Sequence, residues 1–517
     1  MPVEIELKLS LSLKHSERLL HLPLLESLSH SGPRTHNLYS IYYDTPDFYF
    51  QDHGIAFRMR QSGSRWIQTV KDKGRISGGL FQHREWEALV HTEQPDYTRI
   101  TEPELKKLFS DATFTRQIQP IFFTQFARTT YLLHLEDGSK IEFSLDRGKI
   151  SADQSSLPLC EVELELKSGN AVQLFHFALA LKKVFPFPLR LENTSKAERG
   201  YILKSGRKNL PVKASRIPLN ADMCVKTALQ TICWICLAHS SRNENGLLKE
   251  QAFECLYQMH AAARKQRYTL KILSKIYCEE AVVTLIRELK WLTAQFSPAL
   301  EWDIFVATTL QPIQDSYPDH AGIRMLIKAC KQLRNHHFKI ARRAVKSKRY
   351  LTIMLTLGAW LSADSSAAGQ LKTKKSPVLL GTDINKLAGA VLNEQHVQLK
   401  KYGKTLMGIT PTNLHSLKII AIKQCSATEI FADLYPDNNS NQYLRVLHKL
   451  QDILCAMDDS TGFKEFLKKV KMTKKKRLQN EAFGIVSGWA MHQCLQSRSE
   501  LNHTWRSFNR ITPFWLS

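Results

Sequence analysis

No run of apolar residues in this 517-residue chain approaches the roughly 20 needed to span a bilayer as a helix. The opening residues read as a strand rather than as a basic, then apolar, leader, so a cytoplasmic chain without a membrane partner is expected. A disulfide framework is also missing. The ten cysteines are dispersed through a long chain, which makes reduced thiols the expectation. Cys233, Cys236 and His239 do recur at three-residue spacing, but no second ligand pair follows them, and beside Trp234 and Leu237 they read as a buried helix face. Acidic residues are in short supply: 48 Asp and Glu face 72 Lys and Arg, for a net charge of +24. Such an excess attracts polyanions, whether polyphosphate, nucleic acid or anionic lipid.

The scarce acids are not scattered. Val3 to Leu9 alternates, with Glu4, Glu6 and Lys8 on one face and Val3, Ile5, Leu7 and Leu9 on the other. Carboxylates two residues apart on a strand stand about 7 Å apart and can share a divalent cation. The pattern returns in Cys160 to Lys167, where Glu161, Glu163 and Glu165 share a face. Between these acidic strands lie basic ones: Arg58 and Arg60 on one face, Lys71 at a strand end, and further basic residues in His83-Arg84-Glu85-Trp86-Glu87 and Phe126-Ala127-Arg128. Strands charged on one face and apolar on the other are satisfied by an antiparallel barrel with a charged lumen. Crowded like charges repel in such a lumen, so the acids call for a metal and the bases for a polyanion.

After Tyr201 a basic, breaker-rich segment, Lys204 to Pro211, marks a boundary, and Pro218-Leu219-Asn220 precedes the first long helical pattern. From Asp222 onward apolar residues recur at three and four residues, as in Leu256, Met259, Ala263, Leu270 and Leu273. This predicts a bundle of about eight or more helices. The small, polar and basic stretch Ser362 to Ser376 reads as a flexible connection. The fold class expected is therefore α+β multidomain: an antiparallel β-barrel tunnel domain over 1–204, a linker over 205–220, and an all-α helical bundle of two repeats over 221–517.

Glu4-Ile5-Glu6-Leu7-Lys8, the Tyr42-Tyr43-Asp44-Thr45-Pro46 turn, Arg58 with Arg60, Lys71, Gly78-Gly79-Leu80, Cys160 to Lys167, and Ser195 to Tyr201 together resemble a CYTH domain of the triphosphate tunnel metalloenzyme family. Glu254 to His260 with Arg264 to Arg267, Leu414 to Lys418, and Leu450 to Asp459 resemble a CHAD domain over about 221–510. The pair is similar to bacterial inorganic triphosphatases. The resemblance implies metal-dependent hydrolysis of inorganic triphosphate with Mg²⁺ or Mn²⁺. It implies that Lys8, Arg58, Arg60, Lys71, Arg84, Arg128 and Lys196 hold phosphate, and that Glu4 and Glu6 bind metal with help from Asp146, Glu161, Glu163 and Glu165. Glu4, Glu6, Lys8, Lys71 and Asp146 would carry catalysis, with Glu142 competing for the place of Asp146. For the helical half it implies long-chain polyphosphate binding through Arg264, Lys265, Arg267, His415, Lys418 and Lys423. Tyr257, His260, Ser416 and Cys425, and Leu300 nearby, stand where the family usually has stronger bases, which implies a weakened or relocated anion site. The same tunnel also serves thiamine triphosphatases, nucleoside triphosphatases and class IV adenylyl cyclases. A polyphosphate- or nucleic-acid-binding protein with a non-catalytic tunnel is the other reading, and a scaffold that only positions the tunnel is the alternative for the helical half.

Overall fold

The computed structural model describes residues 3–72, 74–276, 279–363, 383–404, 410–435, 440–470 and 476–516. They fall into two compact units. The first holds the described residues of Met1–Val212, Ser240–Ala252 and Val345–Leu371, and the second those of Lys213–His239, Phe253–Ala344 and Lys372–Ser517. The connection expected over 362–376 lies almost wholly outside the described residues.

In the first unit one antiparallel sheet runs through β1 (Val3–Leu11), β2 (Arg34–Asp44), β3 (Ala56–Ser62), β4 (Arg65–Lys71), β5 (Arg75–Ser77), β6 (Leu80–Val90), β7 (Gln119–His134), β8 (Lys140–Ala152), β9 (Ser155–Ser168) and β10 (Leu189–Leu191). The order is β10-β1-β9-β8-β7-β2-β3-β4-β6-β5, and a further β1–β6 pairing closes the eight strands from β1 to β6 into a barrel. Strand register sorts the side chains. Leu7 faces Leu164, Leu9 faces Val162, and Phe143 and Leu145 continue that row onto β8, all buried on the outer face. The intervening residues pair Lys8 with Glu163, Asp146 with Glu161, and Arg128 with Asp146 on the inner face.

Helix α1 (Val172–Val184) covers the outer row across β1 and β9 with Leu174, Phe175, Phe177, Ala178 and Leu181. Each of the leucines and phenylalanines contributes roughly 1.5–3 kcal/mol of burial. Helix α2 (Lys196–Ser205) starts at Ser195, whose Oγ accepts from the Glu198 amide at 3.1 Å, and packs on β7 and β8. Gly200 permits that approach, because a Cβ there would stand 2.1 Å from the Phe122 ring. The Tyr42-Tyr43-Asp44-Thr45-Pro46 turn is tied to the same helix. Asp44 accepts from the amides of Thr45, Phe50 and Gln51, and its Oδ2 accepts from the Tyr201 hydroxyl at 2.7 Å.

The helices that follow are α3 (Val225–Asn245), α4 (Phe253–Ile276), α5 (Glu280–Ile304), α6 (Ala321–Val345), α7 (Lys348–Ser362), α8 (Ile384–Gly403), α9 (Pro411–Phe431), α10 (Ser440–Lys469) and α11 (Lys476–Arg510). In the second unit α4 packs on α5, and α8 to α11 pack each on the next. One apolar core there joins Trp302, Phe305, Leu310, Ile323 and Leu326 to Leu467 and Val486, with Phe466 stacked 5.0 Å from Phe305. Cys233, Cys236 and His239 lie buried on α3. Helix α7 belongs to the first unit and lies on α1. The Lys182 ammonium donates to Thr352 Oγ1 at 2.6 Å, and a Cβ on Gly358 would stand 2.1 Å from the Phe175 ring. Among the described residues, no helix is long and apolar enough to cross a membrane.

Candidate active site in the barrel lumen

At one side of the lumen β1, β4 and β6 bring four charged or polar tips together, because Glu4 pairs in register with His83 and Lys71 with Glu85. The Lys71 ammonium lies 2.6 Å from Glu4 Oε2, 2.9 Å from Glu85 Oε2 and 3.2 Å from His83 Nε2. His83 Nε2 is itself 2.7 Å from Glu4 Oε2 and 3.9 Å from Glu6 Oε1. Burial alone would raise the Glu4 carboxyl, but the His83 contact and the Lys71 charge hold it well below the usual range. Glu85 goes the other way. Burial, with the neighbouring Glu4 carboxylate, pushes it up to about 7 despite Arg58 and Lys71.

On the other side of β1, along β9, β8 and β7, the acids are densely paired. Arg128 forms a fork on Asp146, both contacts at 2.7 Å, and also reaches Glu163. Lys196 enters from α2 to Asp146 and Glu163, each at 2.7 Å, and to Glu161. Arg199, one helical turn on, pairs with Glu161, and Lys8 bridges Glu163 and Glu6, the latter at 2.9 Å. Burial opposes the charged forms of Asp146 and Glu163, yet these cations keep both carboxyls below their ordinary values. Glu165 sits at the strand end with Lys167 at 2.7 Å, and Glu142 is 3.6 Å from the same lysine.

Arg58 and Arg60 on β3 differ in their partners. Arg58 Nη2 donates to Glu85 Oε1 at 3.1 Å, while its buried Nε has no hydrogen-bond partner among the described residues. Arg60 Nε donates to Ser40 Oγ at 3.3 Å, and among the described residues no carboxylate lies within ion-pairing distance of its guanidinium. Burial, then the charges of Arg58 and Arg128, pull its pKa down to about 10. Even half-buried, a cation without an anion is disfavoured by lost hydration, and an anionic ligand is the chemistry that relieves it.

Two sets of oxygen-rich donors fit a cation. The ligand atoms of Glu4, His83 and Glu85, and separately those of Asp146, Glu161 and Glu163, lie within 4.8 Å of one another. Carboxylates suit Mg²⁺ and Mn²⁺. The second set is already neutralised by Lys8, Arg128, Lys196 and Arg199, whereas the first is shared by Lys71 and Arg58.

The structure thus brings Glu4, Glu6, Lys8, Arg58, Arg60, Lys71, Arg128, Asp146, Glu161, Glu163 and Lys196 into the lumen. It does not bring Arg84. Alternation along β6 points His83, Glu85 and Glu87 inward and Arg84 outward, where its half-exposed side chain pairs with Asp72 at 2.7 Å and lies over Trp86. Sequence reasoning passed over His83, Glu85 and Glu87, which have the same alternation that singles out Glu4 and Glu6. It also passed over Arg199, which shares a helix face with Lys196. Thr69 Oγ1 donates to Glu87 Oε1 at 3.1 Å, extending the inner face of β4 and β6.

In the second unit Arg264, Arg267 and Lys271 share one face of α4. Burial and then the charges of Arg267, Lys423 and Lys290 lower the Lys271 ammonium, and burial with Arg264 lowers Arg267. These five cations repel one another. The other candidates have acidic partners: Lys265 meets Glu429 at 2.9 Å, and His415 and Lys418 meet Asp458 at 3.1 and 3.0 Å.

Comparison with known proteins accords with this division. A model of the CYTH domain matches residues 2–201, and a model of the CHAD domain matches residues 231–468. An inorganic triphosphatase of Haemophilus influenzae is 35% identical over 207 residues, which are 39% of this chain and 55% of the relative. The chain thus spans about half the length of that curated relative. The crystal structure of the CHAD domain from the plant Ricinus communis is similar at a TM-score of 0.50 and 23% identity, covering 59% of this chain and 98% of that one. The closed barrel with its charged lumen and the helical unit are therefore those of a CYTH-family protein that also carries a CHAD domain.

Proposed function

We propose that the barrel hydrolyses inorganic triphosphate to diphosphate and phosphate with the help of Mg²⁺ or Mn²⁺. The observation that carries this reading is Arg60, a half-buried guanidinium with no carboxylate in ion-pairing distance among the described residues, facing the same lumen as carboxylate groups with the geometry of a cation site. A single pore that presents both an anion hole and a cation site is matched to a metal-bound phosphate chain. The name of the Haemophilus influenzae relative supports the choice of triphosphate.

Phosphoanhydride cleavage depends on neutralising the nonbridging oxygens and positioning water. Arg58, Arg60 and Arg128 offer planar forks to phosphate oxygens, and Lys8, Lys71 and Lys196 offer point charges. Glu4 and Glu6 hold the metal, with Glu161, Glu163 and Glu165 on the adjoining strand β9 and Asp146 on β8 as the acidic wall beside them. A divalent cation there supplies charge neutralisation and water activation. Phosphate release from a panel of inorganic triphosphate, ATP and thiamine triphosphate, with each metal, tests the reading. Preference for inorganic triphosphate supports it. Cyclic AMP from ATP, or binding of triphosphate without turnover, would replace it with a cyclase or a binding protein.

The second unit is proposed to bind long-chain polyphosphate. Arg264, Arg267 and Lys271 share one face of α4, where burial and then the charges of Arg267, Lys423 and Lys290 lower Lys271, and burial with Arg264 lowers Arg267; this crowding of cations favours a polyanion along α4, α5 and α9. Binding by the full chain should weaken steeply with salt, because releasing counterions into a more concentrated solution gains less. Equal affinity for single-stranded nucleic acid would mark a general polyanion surface instead.

A further inference from the structure

Lys71, on β4, occupies the centre of a cage whose walls are two carboxylate oxygens and an imidazole nitrogen from β1 and β6. Its ammonium is 2.6 Å from Glu4 Oε2, 2.9 Å from Glu85 Oε2 and 3.2 Å from His83 Nε2. In this arrangement His83 Nε2 donates to Glu4 Oε2 at 2.7 Å; the same nitrogen can serve a metal only in the other neutral tautomer, with the proton on Nδ1 and the Nε2 lone pair turned to the point that Lys71 fills. We propose that His83 is a nitrogen ligand of the divalent cation, completing a Glu4–His83–Glu85 site, and that the cation takes the place of the Lys71 ammonium and releases it to the phosphate chain.

This inference rests on the metal-dependent triphosphatase reading and makes it more specific. The donor atoms already surround one cation, and inward shifts of about 0.4 to 1.2 Å bring them to the 2.0–2.2 Å of metal–nitrogen and metal–oxygen bonds. Strand register fixes the approach, because Glu4 faces His83 and Lys71 faces Glu85 across adjacent ladders. Glu6 stands beside them, its Oε1 3.9 Å from His83 Nε2. The carboxylates on the adjoining strands, Asp146, Glu161 and Glu163, are held by lysine and arginine from four positions, so displacing a single lysine does not open them. Lysine suits the exchange: its ammonium is a mobile point charge on a flexible stem. A nitrogen donor also discriminates between metals. Imidazole favours first-row transition ions, whereas Mg²⁺ prefers oxygen and retains its waters. The cage should therefore favour Mn²⁺ over Mg²⁺.

Electron spin echo spectroscopy of Mn²⁺ on the full-length protein, read for nitrogen-14 modulation, tests the ligand directly. Nitrogen modulation is expected in the wild type and should vanish in His83→Gln. Titration of Mn²⁺ should show His83→Gln weaker by about tenfold, with Mg²⁺ affinity changed less, and thermal unfolding checks that the variant is folded. Bound Mn²⁺ without nitrogen modulation, or modulation that persists in His83→Gln, would overturn the inference and leave the triphosphatase reading intact. Failure of the wild type to bind Mn²⁺ or Mg²⁺ would overturn both.

Discussion

Arg128 and Asp146 face each other across β7 and β8 and meet through two parallel contacts, Nε to Oδ1 and Nη2 to Oδ2, both at 2.7 Å. Asp146 is fully buried and also receives Lys196. Removing one partner of a buried network leaves uncompensated charge, typically at a cost of about 3–5 kcal/mol. Asp146→Asn should lower stability by that order in urea unfolding, before any question of catalysis. A change below about 1 kcal/mol would mean that the network does not depend on this carboxylate.

Arg60 has the opposite balance. Because burial and two neighbouring arginines disfavour its charge, Arg60→Met should leave the ligand-free protein as stable or more so. The same change should weaken triphosphate binding by about 1.5–3 kcal/mol, the range of a charged hydrogen bond. Calorimetric titration beside thermal unfolding reads both signs. Unchanged affinity would place Arg60 outside the phosphate path.

His260, on α4, accompanies Ser297 Oγ at 3.2 Å. Burial, then Arg264 and Arg267, bring its pKa down to about 3 from an ordinary 6.5. The unfolded chain therefore binds a proton between these values that the folded chain refuses. Stability from the neutral imidazole is present above 6.5 and falls as pH drops, by up to about 1.4 kcal/mol per pH unit. His260→Gln should flatten that part of the curve between pH 6.5 and 4. Parallel curves for the two proteins would show that His260 titrates normally.

Gly358 lies where a side chain would meet the Phe175 ring. Gly358→Val should cost about 1–3 kcal/mol by overpacking. The loss should appear as earlier thermal inactivation of triphosphatase activity, because α7 covers α1 and α1 covers β1 and β9. Inactivation at the wild-type temperature would show that α7 does not support the barrel.

The legible parts were those with local periodicity. Two-residue alternation exposed Glu4, Glu6 and Lys8 on β1 and Glu161 to Glu165 on β9, and the lumen follows from it. On β6 the charge of Arg84 drew more notice than the parity of His83 and Glu85, and parity decides which side of a strand faces inward. Helical spacing announced α7 without saying what it covers, since amphipathicity shows a buried face but not its partner. Lys271 and Lys290 come from different helices, so their approach to Lys423 has no signature in any short segment.

Phosphate release from inorganic triphosphate by the wild type and by Glu6→Gln, with Mg²⁺ or Mn²⁺ and after chelation, tests the central claim most directly. Glu6 is buried beside Lys8, at 2.9 Å, and a glutamine nearly preserves its shape. The wild type should release phosphate only with metal, and folded Glu6→Gln should be slower by on the order of a hundredfold or more. Full turnover in folded Glu6→Gln, or metal-independent turnover by the wild type, would contradict a metal-assisted triphosphatase in this barrel.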